Sequence, residues 1–200
     1  MIFYGIKKAG YGPEDITDVF LTHLHSDHCG GGVKRDESGT GFELTFPNAD
    51  YWVSRSQWEW AINPNIREAS SFLEENLLPM MDSGHLRFVD NDGKLFNGFS
   101  VRIVNGHTPG QLVPIIDYKD TRIVFGADLI PTMAHIPLLW NMSYDIDQLA
   151  TIEEKKSIVK ECLDNNYIIF FEHDAYVECC TLKDTPKGVM GDKTLEISDL

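Results

Sequence analysis

An α+β fold is what this sequence predicts, from three observations. Short runs are rich in β-branched and aromatic residues, other segments repeat apolar residues every three or four positions, and no internal repeat or Pro/Ser-rich linker divides the chain. The 200 residues are read as one domain, 1–200, since a chain of this length hides roughly 70% of its unfolded surface. Hydrophobic residues make up 42% and charged residues 24%, as in soluble globular proteins. No apolar run approaches the roughly 18 to 20 residues that span a bilayer, so no membrane association is expected.

The elements follow in order. The opening MIFYGIKKAGYGPED places lysines after a short apolar stretch and has no long apolar segment leading to a small-residue cleavage site, so a cytoplasmic address is expected. Asp18 to Thr22 (DVFLT) reads as a buried strand that delivers whatever follows it. Ser56 to Ala61 and Ile66 to Met80 read as helices, the second from Ile66, Ala69, Leu73, Leu77 and Met80. Trp52, Trp58 and Trp60 are assigned to packing. Ser100 to Val104, Leu112 to Asp117 and Arg122 to Phe125 are strand candidates separated by turn-forming residues. A helix from Ile152 to about Leu163 is introduced by Thr151 with Glu154 three residues on, a capping-box pattern. The uninterrupted Tyr167 to Phe171 suits a strand buried on both faces. Residues 182–200 are expected as a loose C-terminal tail whose last residues, DKTLEISDL, either add an edge strand or stay mobile.

Charge and cysteines narrow the function classes. The formal net charge is −14, with 17 basic against 31 acidic residues, which opposes nucleic acid because phosphate contacts need clustered Lys and Arg. Cys29, Cys162, Cys179 and Cys180 form no CxxC pair, so neither a zinc knuckle nor a disulfide framework is indicated. Cys29, next to a histidine-rich segment, is read as a small buried residue, with ligation as the alternative.

The chemistry concentrates in a few segments. THLHSDH carries His23, His25, Asp27 and His28 within six residues; GHTPG supplies His107, FGAD supplies Asp128 and FEHD supplies His173. Each falls at or just past the end of a predicted strand, where a site can form. On extended backbone, side chains two apart share a side, so His23 and His25 can face one metal together. Imidazole and carboxylate donors suit zinc, and seven of them suit two adjacent ions.

In these segments, THLHSDHCGG, GHTPGQ, GAD and EHD, and over about residues 11 to 178, the chain resembles the metallo-β-lactamase superfamily. The resemblance implies an αβ/βα four-layer sandwich with a metal site at one edge. It implies that His23, His25 and His107 hold one metal, that Asp27, His28 and His173 hold the other, and that Asp128 bridges them. Two zinc ions about 3.5 to 4 Å apart can share a hydroxide, lowering the pKa of water from 15.7 to about 7 and supplying a nucleophile. Asp27 and Asp128 are therefore the catalytic candidates, Asp27 for proton movement. Histidine at position 25, where the di-iron flavoprotein reductases of the superfamily carry a carboxylate, favours zinc hydrolysis.

AGYGPEDITDVFLTHLHSDHCGG, FPNADYWVSRSQWE and GHTPGQ are most similar to the branch of methyl parathion hydrolase-type enzymes and N-acyl-homoserine lactonases. The expected function is a di-zinc, lactonase-like hydrolase of an ester, lactone or organophosphate with an apolar portion. Those lactonases place a Tyr shortly after the bridging Asp, where this chain has Pro131. The segment Ile130 to Tyr144 is the candidate pocket wall, with Ile136, Trp140, Tyr144 and His135 as substrate-contact candidates; a homodimer interface is the other reading of the same apolar stretch. Superfamily members carry several strands and an Asp-containing loop before the HxHxDH motif, whereas 22 residues precede His23 here. The first sheet is accordingly expected to have its N-terminal strands missing or shortened, as a late start or a natural short form. Two alternatives stay open: a thioesterase of the glyoxalase II kind, and a non-catalytic, truncated metal-binding module.

Overall fold

A computed structural model describes residues 2–200. They fall into two compact units, the first ending at Asp90 and the second running from Asn91 to Leu200, each with its own apolar core. Their boundary is a polar turn, with no linker composition to mark it in the sequence.

The first unit contains α1 (Ile2–Lys8), β1 (Asp18–Phe20), α2 (Ser26–Cys29), β2 (Val33–Arg35), β3 (Phe42–Leu44), β4 (Asp50–Ser54), α3 (Arg55–Ala61), α4 (Glu74–Asp82) and β5 (Leu86–Val89). Its sheet has the order β1-β4-β5, with both pairings parallel; β2 and β3 form a separate antiparallel pair. On β4, Tyr51 and Val53 are both buried, two residues apart on one face of the strand. Tyr51 also donates its hydroxyl to Gly32 O (2.8 Å) and accepts from Phe46 N (3.2 Å), which fixes the glycine run after the histidines against the sheet. Ser54 caps α3 by accepting from Gln57 N at 3.0 Å.

The predicted helix Ile66 to Met80 is not continuous. Asn65 Oδ1 accepts from Arg67 N and Glu68 N, a 3-10 turn covers Ala69–Ser71, and the helix forms only from Glu74. Phe72 and Leu73 are extended between the two, which turns Phe72 into the core and leaves Ile66 almost fully exposed. Apolar spacing read Ile66 as the first periodic position of a helix; the local side-chain cap at Asn65 outweighed it.

The second unit contains β6 (Gly93–Phe96), β7 (Phe99–Val104), β8 (Gln111–Tyr118), β9 (Thr121–Phe125), α5 (Gln148–Asn165), β10 (Ile168–Phe170), β11 (Cys179–Lys183) and β12 (Met190–Leu195). The sheet order is β12-β11-β10-β9-β8-β7-β6. All neighbours are antiparallel except β9 and β10, which are parallel and joined by the crossover through α5. Residues 190–195 thus form one edge strand of the sheet, with β6 at the other edge. The N-cap of α5 is Asp147, accepting from Leu149 N and Ala150 N at 3.0 Å. The capping box predicted at Thr151 is not used: Thr151 Oγ1 bonds back to Asp147 O, and Glu154 accepts instead from Asn105 N (2.7 Å) and Gly106 N (3.0 Å). The buried face of α5 carries Thr151, Lys155, Ile158, Val159 and Cys162, the i, i+4, i+7, i+8, i+11 pattern of one helix face with a lysine in it. Among the described residues no helix is long and apolar enough to cross a membrane.

Candidate metal centre

In the first unit the chain leaves β1 at Phe20, and Leu21 N still donates to Trp52 O at 2.9 Å, so the direction of the strand is held up to the histidines. Leu24 N donates to Gln57 Oε1 (3.1 Å), anchoring the loop to α3. His25, extended at φ −60° and ψ 146°, is the N-cap of the four-residue α2, and the turn that follows carries Asp27 and His28. The rings gather as a result: His23 lies 4.7 Å from His25, edge to face, and 3.9 Å from His28, centre to centre. His23 is fully buried with Nδ1 3.2 Å from Thr22 Oγ1. His25 Nε2 lies 3.2 Å from Glu68 Oε1. Asp27 is exposed, with Oδ2 3.4 Å from His28 Nε2. Cys29 is buried, with Sγ 3.3 Å from Leu24 O, and burial pushes its thiol up to about 12.

The second unit assembles its three donors around Asp128. Its Oδ2 is 3.2 Å from His107 Nε2 and its Oδ1 is 3.1 Å from His173 Nε2, so each carboxylate oxygen faces one imidazole. Local backbone sets this up. Ala127 adopts φ +43°, a left-handed conformation that costs a residue with a Cβ roughly 1 kcal/mol, directly before Asp128. Gln111, fully buried, directs its side-chain oxygen to Asp128 N and Leu129 N, both at 3.0 Å. His173 N donates to Pro131 O at 3.0 Å. His107 is tied to the start of α5: Asp147 N donates to Gly106 O (2.8 Å), Ile146 N to His107 O (3.2 Å), and a Cβ on Gly106 would collide with Thr151. His107 Nδ1 lies 3.0 Å from Oδ1 of the buried Asp145.

His23, His107, Asp128 and His173 each stand three residues past the last residue of a strand, at β1, β7, β9 and β10 respectively. The sequence placed them at strand ends; the constant offset comes from the structure. Glu68 and Asp145, two supporting residues, had no signal in the sequence, whereas Thr22 and Gln111 lie within the THLHSDH and GHTPGQ segments with no role legible there. Glu68 and Asp145 lie 43 and 38 positions from the histidines they meet.

The candidate pocket wall divides. Ile136 is fully buried in the core of the second unit, so it backs the segment and offers no surface to a ligand, which corrects its reading as a substrate contact. Trp140 and Tyr144 are exposed. His135 is half-buried, with Nδ1 2.8 Å from Thr132 Oγ1; burial and then the Lys155 ammonium lower its pKa. The segment is clamped by Lys155, whose Nζ donates to Pro137 O (3.0 Å), Trp140 O (2.8 Å) and Asn141 Oδ1 (3.0 Å). His85 stays outside the site, 3.6 Å from Asp50.

The donor chemistry fits zinc: clustered imidazoles in one unit, a carboxylate between two imidazoles in the other, and nitrogen and oxygen atoms throughout. Comparison with known proteins points the same way. The family model described as "Metallo-beta-lactamase superfamily" matches residues 2–34. N-acyl homoserine lactonase AiiA of Bacillus thuringiensis subsp. kurstaki is 26% identical over 181 residues, covering 84% of this chain. The chain spans 60% of the length of that curated relative. A probable metal-dependent hydrolase from Staphylococcus aureus superposes with a TM-score of 0.83 at 26% identity, over 98% of this chain and 69% of that one. AidC, a dizinc quorum-quenching lactonase solved with a product, superposes with a TM-score of 0.80 at 25% identity, over 98% and 70%.

Proposed function

From the premise that this chain belongs to the metallo-β-lactamase superfamily, we propose that it is a di-zinc hydrolase that opens a lactone carrying an apolar acyl portion. His23, His25 and His107 would hold one zinc and Asp27, His28 and His173 the other, with Asp128 available to both. When bound, the two ions supply an acidified water as nucleophile and a Lewis acid for the carbonyl. The observation that carries the reading is Asp128 itself, with one imidazole on each carboxylate oxygen, the arrangement a bridging ligand needs.

The remaining roles belong to side chains. Asp27 is exposed beside His28, placed to take a proton from the attacking water and pass it to the alkoxide released when the ring C–O bond breaks. The buried Asp145 and the Gly106 contact hold the His107 ring in one orientation. Trp140 and Tyr144 offer exposed aromatic surface for the acyl portion. The lactone is favoured over a phosphotriester by the names of the relatives, N-acyl homoserine lactonase and quorum-quenching lactonase. The test is proton release on hydrolysis of an N-acyl homoserine lactone, with a phosphotriester and a glutathione thioester alongside. Lactone turnover that disappears in Asp128→Ala supports the proposal. A zinc-loaded protein that turns over only the thioester, or none of the three, refutes it.

A further inference from the structure

Glu68 is a buried carboxylate at the N-cap of the 3-10 turn between α3 and α4, 4% exposed, in a segment where the sequence offered no chemistry. It has a built cradle. Oε2 accepts from Trp60 Nε1 at 2.7 Å and from Asn65 Nδ2 at 3.2 Å, and the same Asn65 uses its oxygen to hold Arg67 N (2.7 Å) and Glu68 N (3.1 Å). With Oε2 occupied by two neutral donors, Oε1 is aimed at His25 Nε2, 3.2 Å away. The His25 ring is meanwhile confined by Phe72 at 5.0 Å and His23 at 4.7 Å.

We propose that Glu68 is a positioning residue for the metal centre: it accepts the Nε2 proton of His25 and thereby fixes the tautomer that presents Nδ1 to zinc. The inference rests on the reading of His25 as a zinc ligand. A carboxylate opposite the donor nitrogen fixes the ring's orientation and raises its basicity, and loss of such a partner typically costs about 10- to 100-fold in metal affinity. The contrast with its neighbour gives the device its purpose. His23 has Nδ1 beside Thr22 Oγ1 and His25 has Nε2 beside Glu68, so the two imidazoles, two residues apart, are set to donate through opposite nitrogens. This also accounts for the break at Phe72 and Leu73: a continuous helix would neither turn Phe72 toward the ring nor keep the 3-10 turn that Glu68 leads into.

The test compares Glu68→Ala, Glu68→Gln and Trp60→Phe with the wild type in two measurements: zinc affinity by competition with a chromogenic chelator, and the tautomer of His25 in metal-free protein from its imidazole 15N shifts. The expected wild-type signature is a protonated Nε2. Glu68→Ala should mix the tautomers and weaken one of two zincs by about 10- to 100-fold. Glu68→Gln has a single acceptor, and holding it at the Trp60 and Asn65 donors turns its NH2 toward His25 Nε2, so the proton should move to Nδ1 and the affinity for one zinc should fall. Trp60→Phe should fall between wild type and Glu68→Ala. If Glu68→Ala does not fold, Glu68→Gln decides: an affinity equal to wild type overturns the proposal. Wild-type affinity and tautomer in a folded Glu68→Ala overturn it while leaving the di-zinc reading intact, whereas a wild type that takes up no zinc overturns both.

Discussion

Lys155→Met removes a cation from the buried face of α5. The ammonium makes three hydrogen bonds of 3.0 Å or less, to Pro137 O, Trp140 O and Asn141 Oδ1, and lies 3.5 Å from Leu138 O. Hydrogen bonds from a charged donor contribute about 1.5 to 3 kcal/mol each. Methionine recovers part of the loss through apolar packing, so a net destabilisation of about 3 kcal/mol is expected at pH 7. The pH dependence carries a sign. Burial, opposed by the Asp145 carboxylate, lowers the amine from 10.5 to about 8. Between those values the unfolded chain binds more protons than the folded one, so this group adds stability as pH rises, by about 2 kcal/mol between pH 7 and 9.5. Urea unfolding of wild type and Lys155→Met at both pH values, in metal-free protein, isolates the difference. The gap should be present at pH 7 and wider at 9.5. A gap under about 0.5 kcal/mol at pH 7, or one that narrows as pH rises, refutes the reasoning.

Gly106→Ala puts a Cβ into the backbone and side chain of Thr151, and thermal unfolding should show a loss of about 2 to 3 kcal/mol, as for overpacking at a rigid contact. Tyr51→Phe leaves Phe46 N and Gly32 O without the buried hydroxyl they share, which should cost about 1 to 3 kcal/mol in denaturant titrations. Ala127→Gly relieves the positive φ before Asp128 and should change stability by less than about 1 kcal/mol, whereas Ala127→Val, branched at the same φ, should destabilise measurably.

Much of the metal centre was legible because its residues are chemically unusual and sit where strands end. DVFLT, SVRIV, RIVF and YIIFF each stop just before a donor, and the run of β-branched and aromatic residues that marks a strand also marks its end. The supporting residues were not legible, for a geometric reason: Glu68 and Asp145 reach their histidines through tertiary packing over some forty positions, and a buried carboxylate looks in sequence like any surface one. Helix boundaries failed where a side chain competed with the apolar pattern. Asn65 capped a turn inside an apparently continuous helix, and Glu154 left its capping role for the backbone of Asn105 and Gly106. Lys155 could not be assigned to the buried face of α5 from periodicity, since its burial depends on carbonyls 14 to 18 residues earlier.

The most direct test is the zinc content of the chain purified without chelator, measured by elemental analysis for wild type and Asp128→Ala together with lactone hydrolysis. The account predicts about two zinc ions per wild-type chain, and loss of turnover with at least one ion lost in the variant. Near-zero zinc in the wild type, or two tightly held zincs and undiminished hydrolysis in Asp128→Ala, would contradict it.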